Sequence, residues 1–428
     1  MANAVATNQT ILVVGGGISG MTAALEAAEC GKDVILVEKS ATLGGRTALL
    51  YRYFPKLCHP TCGLEINLRR IKAATRLRVM TLAEVTGITG TRGDYSISLV
   101  VSPRYVNENC TACGACSAAV EATVDNPFNY KMNRITAAYL PHVMAYPQRY
   151  VLDPSVIGTP DADKAKAACK YGAIDLDMKK ETLTLKAGAV IWATGWEPYD
   201  AAKIQPYGYD RYPNVITSVE FERLADPHGP TGGKILRPSD GKAAKDVAFI
   251  QCAGSRDENH LRHCSRICCM ASLKQTSYVR EAYGDAARSS IYYIDIRAID
   301  RFEDFYARVR ADKAVHFIKS KVASIADDQK TGDLILHGVD TEGYHRYANR
   351  HDLVVLAIGM QPSVPAGTIP AEVIADSSGF IEAAAPGSGI FGAGCATNAL
   401  DVNRSVQSTT AATLRAIQVV NKTARAEA

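Results

Sequence analysis

The chain lacks the features that would send it out of the cell, into a bilayer or onto a polyanion. Met1 to Thr10 hold neither a basic stretch nor an apolar one, so no secretory leader is expected. No apolar run approaches the ~20 residues that span a bilayer. Lys and Arg exceed Asp and Glu by only +4, evenly spread, which argues against a nucleic-acid partner. Internal repeats are absent. What remains, 47% hydrophobic and 21% charged residues over 428, suits two or three soluble domains with ample core. A cytoplasmic location is expected, with any membrane attachment made through a partner. Disulfides are rare there, so those of the twelve cysteines that cluster are expected to bind metal or do redox chemistry.

The first thing present is a dinucleotide fingerprint. Ile11 to Val14 is a short apolar strand that runs into Gly15-x-Gly17-x2-Gly20. An Ala-rich helix, Met21 to Glu29, and a second strand, Asp33 to Val37, follow and end at Glu38. In such a unit Gly15 permits a tight bend, Gly17 lets backbone approach a pyrophosphate, and Gly20 lets helix pack on strand. Ile18 and Ser19 open the helix whose amides face the phosphates. Glu38, with Lys39 after it, lies where a carboxylate can hold ribose hydroxyls.

Further along, Tyr95 to Val101 reads as a strand, and residues 105–178 read as an insertion in which periodicity fades. Thr182 to Ala193 returns to a sheet. Val247 to Gln251 and Ile291 to Ile296 belong to a second α/β unit, Leu353 to Ile358 is a further strand, and Asn403 to Ala426 is one helix. The expected organisation is an FAD-binding domain in three segments (1–104, 179–245, 346–428). A ferredoxin-like insertion (105–178) and a second Rossmann-like domain (246–345) interrupt it.

Eight cysteines form two groups. Cys110-x2-Cys113-x2-Cys116 opens like a bacterial ferredoxin motif, although its local fourth position is Val120. In two-cluster ferredoxins that ligand comes from the end of the second motif, a place Cys169 can fill. The second motif's other cysteines are replaced by Thr159, Ala162 and Ala165. The expectation is one [4Fe–4S] cluster on Cys110, Cys113, Cys116 and Cys169, the insert having lost its other cluster. A zinc site or unliganded thiols are the alternatives.

The second group is Cys252-x11-Cys264-x3-Cys268-Cys269. It follows a strand at the place where a pyridine-nucleotide reductase carries its second glycine fingerprint, and no such fingerprint is present. A second [4Fe–4S] cluster is expected on these four; a dithiol exchanging with a disulfide substrate, or inert cysteines, are the rivals. Cys58-x3-Cys62 is a further pair that reads as structural, with a redox or ligand role as the alternative, and Cys30 reads as core. A flavin handles one or two electrons and a cluster one, so a chain with both suits splitting or merging electron pairs.

Three features resemble the two-dinucleotide-binding-domain flavoproteins of glutathione and thioredoxin reductase type: Leu43-Gly44-Gly45-Arg46, Ala193-Thr194-Gly195 and Gly389 to Gly394 before the last helix. That likeness implies a Rossmann-like α/β fold holding FAD. Cys395 stands where many relatives carry Asp, and reads as a small buried residue. In those reductases a cysteine pair with four residues between lies near the place of Cys58 and Cys62, which leaves an NAD(P)H-dependent disulfide reductase as one alternative.

Longer strings resemble the flavin subunit of heterodisulfide reductase: Cys252-x-Gly254-Ser255-Arg256, Cys264 to Met270, Tyr293 to Arg297, Gly229 to Gly233 and Arg237 to Gly241. The missing cluster, and the absence of N-terminal and C-terminal extensions found in that flavin subunit, point to a reduced form of it. The reduced form is similar to the corresponding flavin subunit of quinone-interacting membrane-bound oxidoreductase complexes of sulfate reducers. That likeness implies FAD and clusters. It implies two partners in the same complex: a second flavin/iron–sulfur subunit, and a haem-bearing membrane subunit. It also implies electron exchange between menaquinol and adenylylsulfate reductase, with confurcation or bifurcation as an option. A heterodisulfide-reductase-type subunit of a soluble complex is the other reading.

Overall fold

The computed structural model describes residues 6–54, 56–363, 370 and 372–427. They fall into two compact units. The first holds the chain up to Ala48, Tyr53–Trp196 and Pro362–Ala428; the second holds Leu49–Arg52 and Glu197–Gln361.

The first unit begins with β1 (Ile11–Val14), α1 (Ile18–Glu29) and β2 (Val34–Glu38). All four residues of β1 are buried, as a parallel strand covered on both faces requires. The glycine after α1, Gly31, takes φ +78°, and the amides of Gly31 and Lys32 donate to Ala28 and Ala27. That left-handed cap closes the helix. Then come α2 (Thr61–Ala73), β3 (Leu77–Thr81), β4 (Ala83–Thr91) and β5 (Asp94–Val101).

The expected insertion follows β5. It contains α3 (Ala115–Ala119), α4 (Pro160–Ala168) and two short antiparallel hairpins. A small core of its own includes Val106, Val120, Leu152, Ala162, Ala165 and Ile174. The chain then re-enters as β6 (Glu181–Ala187), antiparallel to β5, and Gly188 separates β6 from β7 (Ala189–Trp192). The stretch read as one return to the sheet is therefore two strands.

The second unit contains β8 (Val215–Thr217), α5 (Ser218–Ala225), β9 (Asp246–Ala253), α6 (Cys268–Tyr283), β10 (Arg288–Tyr293), α7 (Glu303–Ala311), β11 (Val315–Lys319) and β12 (Leu353–Ile358). Its parallel sheet has the order β8-β12-β9-β10-β11. The boundaries expected at 245/246 and 345/346 differ from the observed ones. β8 and β12 both pair inside this sheet, which draws residues 197–245 and 346–361 into the second unit.

The segment Leu49–Arg52 joins it through a buried polar network. The Glu222 carboxylate accepts from the Tyr51 amide at 3.0 Å, from Gln275 at 2.7 Å and from the Tyr278 hydroxyl at 3.2 Å, and it pairs with Lys274 at 2.9 Å. Lys274 also donates to the Arg52 carbonyl.

The chain returns to the first unit as β13 (Ile390–Gly392) and α8 (Val402–Glu427). The first sheet is parallel, in the order β13-β7-β1-β2-β3. No helix among the described residues is long and apolar enough to cross a membrane.

Candidate functional site

In the first unit, four glycine-bearing segments meet at the end of β1. A Cβ on Gly15, which has φ +103°, would fall 2.4 Å from the Ala193 carbonyl oxygen. One on Gly20 would fall 1.6 Å from the Gly15 oxygen, one on Gly45 2.7 Å from the Gly17 Cα, and one on Gly394 2.0 Å from the Ser19 hydroxyl. The Gly44 amide donates to Gly16 at 2.9 Å. Contact this close is open only to residues without a side chain.

Gly17 differs. Its Cβ would meet only the Gly45 Cα, at 3.8 Å. Nothing among the described residues demands glycine there, so its small size leaves room for something else. That cradle, at the start of α1 where Ile18 begins the helix, suits a pyrophosphate.

Around it the other predicted residues take definite places. Glu38 accepts from the Gly16 amide at 2.5 Å and from the amide and hydroxyl of Ser40 at 2.7 Å. The carboxylate is thus fixed beside the fingerprint. Lys39 instead pairs with Glu84 at 3.1 Å on the surface. Arg46 lies over the Trp196 ring at 5.3 Å, donates to the Trp196 carbonyl at 2.6 Å and reaches the Tyr130 hydroxyl at 3.2 Å. The Thr194 hydroxyl accepts from Ser363, and Gly195 takes φ +75° with open space around it. The Cys395 thiol is enclosed, donates to the Leu400 carbonyl at 3.2 Å, and is pushed up by burial.

The insertion carries the second feature of this unit. Cys110, Cys113, Cys116 and Cys169 line one pocket together with Tyr150 and Ile174. Backbone amides point at two sulfurs: Ala112 donates to Cys110 at 3.4 Å and Ala173 to Cys169 at 3.3 Å. Ala112 takes φ +55°, which costs a non-glycine residue roughly 1 kcal/mol. Cys113 is exposed, and the Ala115 amide pulls its thiol below the ordinary range. Burial pushes Cys116 up to about 11, with Cys110 and Cys169 adding to the effect. Ala162 and Ala165, which stand in place of cysteines, are buried in α4 and pack into the small core. Thr159 precedes that helix and bonds to the Val156 carbonyl.

Cys58 and Cys62 sit at the head of α2, also in this unit. The Tyr53 hydroxyl lies against Cys58, and burial with the two nearby thiols pushes that phenol up.

The second unit brings Cys252, Cys264, Cys268 and Cys269 to the carboxyl end of β9 and the amino end of α6. This is the edge of a parallel sheet where ligands bind. The register of β9 slips between Ile250 and Ala253, and Cys252 takes φ +56° at that bulge. The loop beyond it is knitted shut. Ser255 donates to Cys252, Leu261 to Gly254 and Arg256 to His263 through the backbone, and the Ser255 and Ser265 hydroxyls bond at 2.7 Å. These bonds return Cys264 to Cys252.

Arg256 and Arg266 also take positive φ, +56° and +63°. Such strained residues cluster at functional sites, because only a determined surrounding keeps them. The Arg266 amide donates to the Cys264 sulfur at 3.3 Å. Burial pushes the Cys269 thiol up to about 11 and Cys268 well up, and the neighbouring Cys252 and Cys264 add to both. All of the cysteines carry free thiols.

Two residues that sequence reasoning gave no role stand out here. Arg256 is 3.9 Å from the Cys252 sulfur and ion-paired with Asp295. Gln251 is 6% exposed, and neither polar atom of its carboxamide has a hydrogen-bond partner among the described residues. A buried amide left so costs about 1–3 kcal/mol. Arg256 belongs to one of the strings that carry the family resemblance, four residues past Cys252, but nothing local marks its role. Gln251 carries no signal beyond its place before a cysteine.

No three His, Cys, Asp or Glu side chains among the described residues stand as ligands of one metal ion. Zinc needs its ligands drawn to one centre at ~2.3 Å, whereas a cluster takes thiolates at its corners, farther apart. Quartets of thiols receiving amide hydrogen bonds, one beside an unpartnered buried amide, fit a cluster.

Residues 10–60 match the family model of FAD-dependent oxidoreductases. The chain is 38% identical over 426 residues to an iron–sulfur subunit of the CoB–CoM heterodisulfide reductase of Methanopyrus kandleri, covering 95% of this chain and 63% of that protein. It is 35% identical to a subunit of the ferredoxin/F420H2-dependent CoB–CoM heterodisulfide reductase of Methanosarcina acetivorans, covering 96% and 53%. The chain thus spans between half and two thirds of the length of these relatives. Among solved structures, thioredoxin reductase of Lactococcus lactis aligns with a TM-score of 0.52 at 14% identity, over 97% of this chain and 99% of that one. That of T. acidophilum gives 0.51 at 14%, over 96% and 98%. By fold the chain therefore has the two-dinucleotide-binding-domain architecture of thioredoxin reductases, and it is similar along nearly its whole length to one particular subunit of heterodisulfide reductases.

Proposed function

We propose that the chain is an FAD- and iron–sulfur-carrying electron-transfer subunit of a heterodisulfide-reductase-type complex. The observation that carries this reading is the second quartet. Cys252, Cys264, Cys268 and Cys269 occupy the sheet edge where a pyridine-nucleotide reductase would hold its second dinucleotide. The relatives at 35–38% identity are named as subunits of heterodisulfide reductases, which supports the same reading.

When bound, FAD supplies one- and two-electron chemistry and a [4Fe–4S] cluster supplies single-electron transfer. The residues serve that chemistry in stated ways. Gly15, Gly17 and Gly20 admit the pyrophosphate, and the amides opening α1, with Ile18 and Ser19, face it. Glu38 stays fixed beside the fingerprint, while Gly44, Gly45, Ala193, Thr194, Gly195 and Gly394 shape the cradle. Cys110, Cys113, Cys116 and Cys169 would hold one cluster, and Cys252, Cys264, Cys268 and Cys269 another. The Ala112, Ala173 and Arg266 amides stabilise negative charge on the sulfurs.

Anaerobically purified protein should carry about eight irons and eight sulfides per FAD if both quartets hold cubane clusters. Flavin without iron would overturn the reading. Rapid bleaching of the flavin by NADH or NADPH alone would favour a disulfide reductase working through Cys58 and Cys62.

A finer reading rests on the small residues that replace the second ferredoxin motif, Thr159, Ala162 and Ala165. It places the chain in a quinone-interacting membrane-bound oxidoreductase, attached to the membrane through its partners. Those partners would be a second flavin/iron–sulfur subunit, a haem-bearing membrane subunit, and adenylylsulfate reductase, with menaquinol the donor. Co-purification with a haem-bearing membrane subunit supports it. Co-purification with a soluble CoB–CoM heterodisulfide-reducing subunit instead overturns it.

A further inference from the structure

Arg256 is held in one place by three independent devices. Its backbone takes φ +56°, its amide donates to the His263 carbonyl at 3.1 Å, and its guanidinium is paired with Asp295. That pairing crosses from the loop after β9 to the segment after β10. The guanidinium thereby stands 3.9 Å from the Cys252 sulfur. Asp295 belongs to the same wall, because its carbonyl accepts from the Cys269 thiol at 3.7 Å.

Resting on the cluster reading above, we propose that Arg256 is a positioning residue that sets the reduction potential of the second cysteine site. Adding an electron to a thiolate-bound cluster adds negative charge. A fixed cation beside one ligand sulfur stabilises the reduced form and raises the potential. Asp295 serves two ends: it holds the guanidinium against Cys252 and moderates its field. Arginine suits the place, because its planar fork can face the carboxylate and the sulfur together and stays charged at every working pH.

The test is an EPR-monitored redox titration of the full chain, purified anaerobically, with Cys268→Ala used to identify the second-site signal. Arg256→Gln should make reduction of that site about tenfold less favourable, a shift of ~59 mV to lower potential for one electron. Arg256→Lys should recover part of the shift. Signal from the Cys110 quartet should stay where it was. A second-site signal whose potential is the same in Arg256→Gln overturns the proposal alone. Absence of any signal sensitive to Cys268→Ala overturns the cluster reading, and the proposal falls with it.

Discussion

A Cβ placed on Gly20 would stand 1.6 Å from the carbonyl oxygen of Gly15, whereas one placed on Gly17 would find its nearest neighbour at 3.8 Å. The two glycines of one motif therefore answer to different demands. Gly20 is required by the packing of α1 on β1, and Gly17 only by what binds over it.

Substitution should separate those demands. Gly20→Ala should destabilise the protein by roughly 1–3 kcal/mol or more, through overpacking, with lower Tm and poor yield. Gly17→Ala should keep a near-normal Tm in the flavin-free state and lose bound flavin. Thermal unfolding paired with absorbance near the flavin band reads both.

The metal-free protein should show a graded thiol reactivity. Cys113, exposed and pulled down by the Ala115 amide, should react first with an alkylating agent at pH 8. Cys116 should lag until the pH nears its raised value of about 11. The same shift makes a stability statement. A thiol raised in the folded state holds its proton while the unfolded chain loses it, so its contribution is intact below about pH 9. It is lost as pH climbs through about 11. Mass spectrometry of labelled peptides and Tm against pH check the two halves; Cys116 labelling first would contradict both.

Lys274 and Glu222 form an ion pair at 2.9 Å, with side chains only 4% and 3% exposed. Lys274→Met should cost about 3–5 kcal/mol in urea unfolding, because Glu222 is left as a buried charge. Pairing it with Glu222→Gln should recover part of that loss, since the glutamine can keep bonds to Tyr51 or Tyr278.

Arg104 ties the insertion to the flavin unit. It is 6% exposed and donates to the Ala41 carbonyl, to Thr81 at 2.9 Å and to the Arg149 carbonyl at 3.3 Å. Arg104→Met should raise proteolysis within residues 105–178 and leave flavin content unchanged, measured by limited digestion against absorbance.

Local patterns of sequence read well where local forces decide. The fingerprint, the buried strand Leu353–Ile358 and the start of the insertion all follow from runs of apolar residues, glycine and their interruption. The two-dinucleotide-domain fold is borne out by the parallel sheets and by the thioredoxin reductase likeness. Boundaries that depend on distant pairing were not legible. Val215–Thr217 is three residues long, and only its register with Val354–Leu356 assigns it to the second unit. The strand expected over Ile291 to Ile296 lies at Arg288–Tyr293, since its pairing with β9 starts at Arg288 and leaves Asp295 in a loop. Arg256 and Asp295 are 39 positions apart, and only neighbouring parallel strands make them partners.

The register of β5 with β6 sets Val101 opposite Glu181, so the 79 residues between them leave and return at one spot on a continuous hairpin. Such a mount behaves like a socket. A lineage could trim, enlarge or exchange the cysteine-bearing cassette plugged into it while the parallel sheet stayed as it was, and the inserted part could then evolve faster than its mount.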